Sequence, residues 1–389
     1  MDILISGASI AGTTTAYWLR RYGHTVTVVE RAPAIRPGGY KVDIRGAALD
    51  VIRRMGLLDQ VRAHSTDMRH ATHYNRAGKP VAVMDAAIFG GREGEDEEIM
   101  RGDLNRLLFD LTRDEVEYVF DDTITAIADD GTVTFENSAP RVFDVVVGAD
   151  GVHSTTRRLA FGDESRFARE MGHYVAICSV PNHLGLDREE ACHVAPGRTA
   201  MVYSTRAATD AKALFLWSSP ALDHDRHDVA AQKRLLAEAM SGLGWEVPAL
   251  LEHVERAEDF YFDSLTRIHL DTWSAGRVVL VGDAAYCASP ASGQGTSLAL
   301  VGAYVLAGEL ARGDGFAGYE REMRAFAEAN QKLADTNLKG MVMSSAVAIW
   351  ISMKVLSLVP RLPMRDAMVE RIAGPIREAA NGIELKSYL

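Results

Sequence analysis

The sequence predicts an α/β chain in which a Rossmann-like parallel sheet is interrupted by an inserted antiparallel sheet and followed by a long C-terminal helix. Three observations predict it. The chain opens as strand, helix, strand: the apolar DILIS at 2–6, a helical stretch over 10–22, and HTVTVVE at 24–30. Two further runs, FDVVVGA at 143–149 and RVVLVGDAA at 277–285, have the continuous hydrophobicity of strands buried on both faces. Between them the texture changes. YVAICSV, RTAMVYST and KALFLWS alternate as antiparallel strands do. The division that follows is 1–166 and 271–330 for a first domain in two pieces, 167–270 for the insert, and 331–389 for a helical segment bridging the two.

The other elements follow the same patterns. PGGYKVDIRG, 37–46, reads as a glycine-bearing loop before a helical run ALDVIRRMGLL. FGGREGEDEE, 89–98, reads as an exposed polar loop, and DLNRLLFDLT, 103–112, as a helix. Short strands are expected near 116–120, 123–128 and 132–136, a helix around 229–242, and another over TSLALVGAYVLAGEL, 296–310.

Composition excludes several classes. A chain of 389 residues is too long for one ordinary core. Its net charge of −11, without a Lys/Arg cluster, argues against nucleic acid as a partner. The cysteines Cys178, Cys192 and Cys287 are odd in number and form no CxxC, which argues against a disulfide framework, a zinc ribbon or a dithiol redox pair. The histidines show no metal-ligand spacing, so no metal is expected. The opening MDILISGAS has no basic n-region, and a cytoplasmic protein is expected.

The longest apolar stretch, 341–359, is broken by Lys354 and reads as a packed helix, so no stable membrane association is expected. Val342, Ala346, Ile349, Met353 and Leu356 share one face, and Met343, Val347, Trp350 and Ile351 make other faces apolar. Such a helix is expected to be buried across both domains, shielding a cavity. Nothing demands more than a monomer.

Three segments carry chemistry. Gly7 to Gly12 (GASIAG) lies between a strand and a helix, and Glu30, followed by Arg31, ends the next strand. A tight turn there would direct backbone N–H groups and a helix N-terminus at a pyrophosphate, while Glu30 could accept from ribose hydroxyls. Ser9 replaces the usual middle glycine, adding a Cβ and a hydroxyl. The second segment is DGVHSTTR, 150–157, which alone is also an ordinary strand-ending turn. The third is GDAAYCASPASGQG, 282–295. A strand delivers Asp283 to its carboxyl end, where open α/β sheets bind ligands. Pro290 stiffens the loop, Gly293 and Gly295 let backbone approach a flat ligand, and the helix from Thr296 aims free N–H groups at it.

In this order the three segments resemble those of the single-component FAD-dependent aromatic hydroxylases, the class A flavoprotein monooxygenases. The resemblance runs from Gly7 to about Tyr319. Its DGxxSxxR pattern is matched at Asp150, Gly151, Ser154 and Arg157, and its late GD motif at Gly282, Asp283, Pro290, Gly293, Gln294 and Gly295. Tyr286 stands where His is usual, Ser297 where Asn is usual, and Gly302 where an acid is common. EIMRGDL, 98–104, resembles the segment whose arginine approaches the flavin, here Arg101; read plainly, Arg101 is a surface arginine at a helix start. Overall length, the 37–46 loop and EIMRGDL bring the chain nearest the tetracycline-inactivating branch.

The resemblance implies FAD as cofactor. Gly7, Ser9, Ile10, Ala11, Gly12, Glu30 and Arg31 would serve its ADP half, and Arg101, Asp150, Gly151, Asp283, Pro290, Gly293, Gln294, Gly295 and Thr296 the rest. Asp283 would hold a ribityl hydroxyl, and the Gly-Gln-Gly turn would face the N1/O2 edge of the flavin. It further implies NADH or NADPH as a transient electron donor, O2 as co-substrate, and a flavin C4a-hydroperoxide. That species would place one oxygen atom in an aromatic or polyketide-type molecule, with the cofactor rather than a side chain carrying the chemistry. The loop Tyr40–Arg45 would lie near the nicotinamide approach. Met201, Tyr203, Phe215 and Trp217 are candidate substrate contacts, with plain core as the alternative. Two other readings stay open: a flavoprotein that binds a small molecule without catalysis, and a flavin-dependent dehydrogenase.

Overall fold

A computed structural model describes the chain except Pro37, Glu93, Ala207, residues 359–364 and Leu389. Pro37, Glu93 and Val359, which fall in stretches quoted above, lie outside the described residues. The first sheet has six strands in the order Ser274–Ala275, Val278–Leu280, Val145–Gly148, Asp2–Ser6, Thr25–Glu30 and Glu117–Phe120. All but the first pair are parallel. Strands from three distant parts of the sequence thus meet side by side, which brings the three chemical segments to one edge. The apolar helix Gly295–Arg312 packs on Ile10–Arg21, on Ala47–Arg54 and on the long helix Gly315–Met341.

The second sheet has seven strands in the order Tyr261–Ile268, Ala168–Val180, Ala211–Ser218, Arg198–Ser204, Glu189–Ala195, His70–Tyr74 and Pro80–Asp85. The last two come from the stretch assigned to the first domain, so the insert is not confined to 167–270. His70–Tyr74 is joined in parallel to Glu189–Ala195, a long-range pairing that local alternation cannot announce. The face bearing Tyr174, Phe215, Trp217 and Phe262 packs on the helices Val229–Met240 and Val247–Arg256. The other face bears Val175, Ile177, Leu214, Leu216 and Leu265, and meets Ala291, Ala334 and Leu338. Only this second face looks toward the first domain.

The C-terminal expectation needs correction. The long helix Gly315–Met341 ends, and Ala346–Leu358 departs from it at 95°. The bridging role belongs to the former: Tyr319, Met323 and Phe326 sit in the first core, while Ala334 and Leu338 reach the second sheet. Ala346–Leu358 has no buried residue among those described. It lies on the edge strand Pro80–Asp85 and touches Glu189–Ala195. A sheet edge is narrow, so it half-covers Ile349, Met353 and Leu356 and leaves the opposite side open.

Candidate active site

The turn after the first strand is built by close approach. Gly7 has φ +105°, and a Cβ there would fall 2.6 Å from the carbonyl oxygen of Ala149. A Cβ on Gly12 would fall 1.8 Å from the Gly7 carbonyl oxygen. The turn can therefore press against the neighbouring strand only as glycine. Ser9 is the N-cap of Ile10–Arg21, and its side chain caps nothing. Ile10 and Ala11 are buried. Glu30 accepts at 2.8 Å from the backbone N–H of Ala8 and at 2.8 Å from that of Ala32, which fixes its carboxylate beside the turn. Arg31 is exposed at the strand end. Asn105 donates to the Ala8 carbonyl at 3.1 Å and braces the turn from the helix Arg101–Asp110; no sequence signal marked it.

The DGVHSTTR segment works mainly on its own architecture. Asp150 accepts from the Ser154 hydroxyl and, at 2.9 Å each, from the backbone N–H and hydroxyl of Thr156. Gly151 supplies the turn with φ +83°. Arg157 is fully buried and donates to the carbonyls of Ala284 at 3.0 Å and Val152 at 2.6 Å, so it ties this segment to the third one. His153 bridges the domains. Its Nδ1 lies 2.8 Å from Glu164 Oε1, and its Nε2 lies 3.3 Å from Asp263 on the second sheet. Desolvation pulls the imidazole down, but hydrogen bonds to Asp263 and Glu164 outweigh it and raise its pKa to about 9.

The third segment converges with Arg101. Asp283, Pro290 and Gly293 are solvent-accessible, although their neighbours Gly282, Ala284, Ala291 and Ser292 are buried. Enclosure by protein pushes the Asp283 carboxyl above the usual range, against the opposing pull of the Cys287 thiol and the Arg101 guanidinium. A Cβ on Gly295 would be 4.0 Å from Asp283 Oδ1, so the carboxylate stands beside the N-terminus of an 18-residue helix. Arg101 is not a plain surface residue. Its backbone N–H donates to Tyr40 at 2.9 Å, its guanidinium lies 6.0 Å from the Tyr40 ring centre, and its Nε is buried without a partner among the described residues.

These residues fit a flavin nucleotide. The Gln294 side-chain amide is fully buried with neither its N nor its O partnered, and the Ser297 hydroxyl beside it is likewise unpartnered among the described residues. Thr296 is buried in the same first turn. Buried polar atoms left without partners cost roughly 1–3 kcal/mol each, so such a group of them is expected where a polar ligand completes the set. The glycine cradle at Gly7 and Gly12 gives the close approach a pyrophosphate needs.

The departures at Tyr286 and Gly302 explain each other. The Tyr286 hydroxyl accepts from Tyr319 at 3.0 Å and occupies the space where a Cβ on residue 302 would lie, 1.9 Å away. A tyrosine at 286 therefore requires glycine at 302.

The four substrate candidates divide by face. Phe215 and Trp217 point into the helix-covered core and do not face the first domain; alternation along the strand has put them on the wrong side. Met201 pairs with Leu214, and Tyr203 with Lys212, so both belong to the facing side. Tyr203 is fully buried, accepting from the Lys41 backbone N–H at 3.3 Å. Lys41 in turn pairs with Glu190, and with Glu98 at 3.2 Å, tying the first domain to the sheet. Sequence reasoning missed Tyr261. It is 41% exposed, it shares the facing side with Ile177, and its ring lies 6.5 Å from that of Tyr40.

The comparisons agree with this architecture. Residues 1–332 match the family described as FAD binding domain. The chain is 36% identical to a flavin-dependent monooxygenase from an unknown prokaryotic organism, over 99% of this chain and 98% of the relative. It is 47% identical to an uncharacterised protein of Mycobacterium tuberculosis, over 87% of this chain and 94% of that one. The crystal structure of tetracycline destructase Tet(55) is similar with a TM-score of 0.85 and 35% identity, covering 99% of this chain and 98% of that one. The chain belongs to the FAD-binding-domain family and is an FAD-dependent monooxygenase of the aromatic-hydroxylase type.

Proposed function

We propose that the chain oxygenates a polycyclic aromatic or polyketide ligand of the tetracycline type, with NADH or NADPH as electron donor. One observation carries this reading: Tyr40 and Tyr261, both accessible and with ring centres 6.5 Å apart, link the surroundings of Asp283 and Arg101 to an apolar sheet face bearing Met201, Leu214 and Leu216. Tyr40 lies within the electrostatic reach of Arg101, Asp283, Cys287 and Asp263 at once, so it stands at the junction of the two domains. A flat ligand offers aromatic rings and an apolar wall the most contact area. The tetracycline destructase Tet(55) supports the ligand class through its likeness over nearly the whole chain.

FAD would be held at its ADP half by the turn Gly7–Gly12 and Glu30, and at its flavin half by Asp283, Arg101 and the turn Gly293–Thr296. When bound it supplies acceptance of electrons from a nicotinamide and activation of oxygen. The chain's own residues do the rest. Arg101 and the N-terminus of Gly295–Arg312 present fixed positive potential, which stabilises negative charge without reorganisation. Ala291, Leu214 and Leu216 exclude water from the ligand side. Arg157 and Asp150 hold the second and third segments in register.

The test is NAD(P)H oxidation by FAD-loaded protein against phenols, quinones, tetracyclines and other polyketides, with product masses recorded. Stimulation by tetracyclines with a product one oxygen atom heavier is expected. Stimulation by single-ring phenols alone would overturn the ligand class, and oxidation of neither NADH nor NADPH would overturn the electron donor.

A further inference from the structure

We propose that the helix Ala346–Leu358 is a docking surface for an anionic lipid bilayer. Its outward residues are Val347 at 66% exposed, Trp350 at 63%, Ile351 at 50%, Val355 at 41% and Leu358 at 50%. At 100° per residue these fall on one side, opposite the half-covered Ile349, Met353 and Leu356. They make a contiguous apolar stripe about 17 Å long. Scattered exposed apolar residues need no explanation, but a contiguous stripe with a tryptophan does. No single helix among the described residues is long and apolar enough to cross a membrane; this one and its predecessor pass that test only as a pair bent by 95°. A helix that lies on a bilayer fits that geometry better than one that spans it.

Charge selects the occupant. The described residues 336–358 contain Lys339 and Lys354 and no Asp or Glu, in a chain of net charge −11. Lys339 and Lys354 are exposed, and Lys354 lies 6.0 Å from the Trp350 ring centre. At 100° per residue Lys354 falls on the outward side with Val347, Trp350 and Ile351, so a cation stands within the apolar stripe, and charges farther than about 8 Å from it are largely screened at physiological salt. A second copy docked by the same stripe would bring these cations together with no acid in the segment to pair them. Anionic headgroups pair them while the acyl boundary takes Trp350 and Ile351. The inference is independent of the ligand proposed above.

The full-length, FAD-loaded protein would be co-sedimented with vesicles of phosphatidylcholine alone and of phosphatidylcholine with phosphatidylglycerol. Binding to the phosphatidylglycerol vesicles is expected, falling at least about tenfold on pure phosphatidylcholine and in the double variant Trp350→Ser/Ile351→Ser. The urea midpoint and FAD content of that variant should match wild type, since these side chains touch solvent. Absence of wild-type binding, or equal binding by the double variant, would overturn the proposal. So would a concentration-dependent dimer that the same variant abolishes, which would give the stripe to a second copy.

Discussion

The helices Gly295–Arg312 and Ala346–Leu358 carry comparable apolar side chains into different surroundings. In the first, Thr296 to Glu309 are all buried, between Ile10–Arg21 on one side and Gly315–Met341 on the other. In the second no described residue is buried, because a sheet edge supports it from one side only. Apolar composition states that a helix gains by leaving water; it does not state what is there to cover it. For Gly295–Arg312 the cover is supplied by neighbours in the parallel sheet domain. For Ala346–Leu358 the chain supplies half.

Substitutions can break that comparison. The largest effect is expected from Gly302→Asp, which forces a Cβ onto the Tyr286 hydroxyl and buries an unpaired carboxylate. A loss of about 4 kcal/mol in urea unfolding is expected. Tyr286→His in the same chain should recover part of it, because the hydroxyl that fills the space is removed. Leu300→Ala, at a fully buried site of the same helix, should cost about 3 kcal/mol. If Leu300→Ala and Val355→Ala cost the same, the two helices do not differ in burial as described.

The His153 bridge comes next. Its pKa is raised to about 9 from the ordinary 6.5, so its contribution is complete below pH 6.5 and is lost as pH rises through 9. With the imidazole about one-third exposed, about 2 kcal/mol is expected after allowance for screening. His153→Gln should remove that slope from a stability-versus-pH curve between 6.5 and 9; an unchanged slope would mean that the bridge to Asp263 and Glu164 contributes nothing. The smallest effect is expected from Trp350→Ser, within about 0.5 kcal/mol of wild type, because its side chain is mostly in water.

Legibility in the sequence followed the same division. The Gly7–Gly12 turn, Glu30 and the strand leading to Asp283 could be read because each is a local pattern: apolar run, glycine, polar residue at a strand end. The pairing of His70–Tyr74 with Glu189–Ala195 could not, since register between distant strands leaves no local mark. Phe215 and Trp217 show the same limit. Alternation revealed that the strand has two faces, but not which one meets the first domain. Tyr261 and Asn105 sit in stretches without a motif, and only tertiary contact brings them to the site. Arg101 was legible through EIMRGDL, but the close packing of its side chain on Gly39, where a Cβ would lie 3.0 Å from Arg101 Nε, was not.

The central claim is that two segments more than two hundred residues apart hold the two halves of one cofactor. Equilibrium binding of FAD and of ADP to wild type, Glu30→Ala and Asp283→Ala tests it most directly. Both variants should bind FAD at least about tenfold more weakly, the loss of one charge-assisted contact. ADP affinity should fall in Glu30→Ala and stay at the wild-type value in Asp283→Ala. Wild-type FAD affinity in Asp283→Ala, or an equal loss of ADP affinity in both variants, would contradict the division of the cofactor between the two segments.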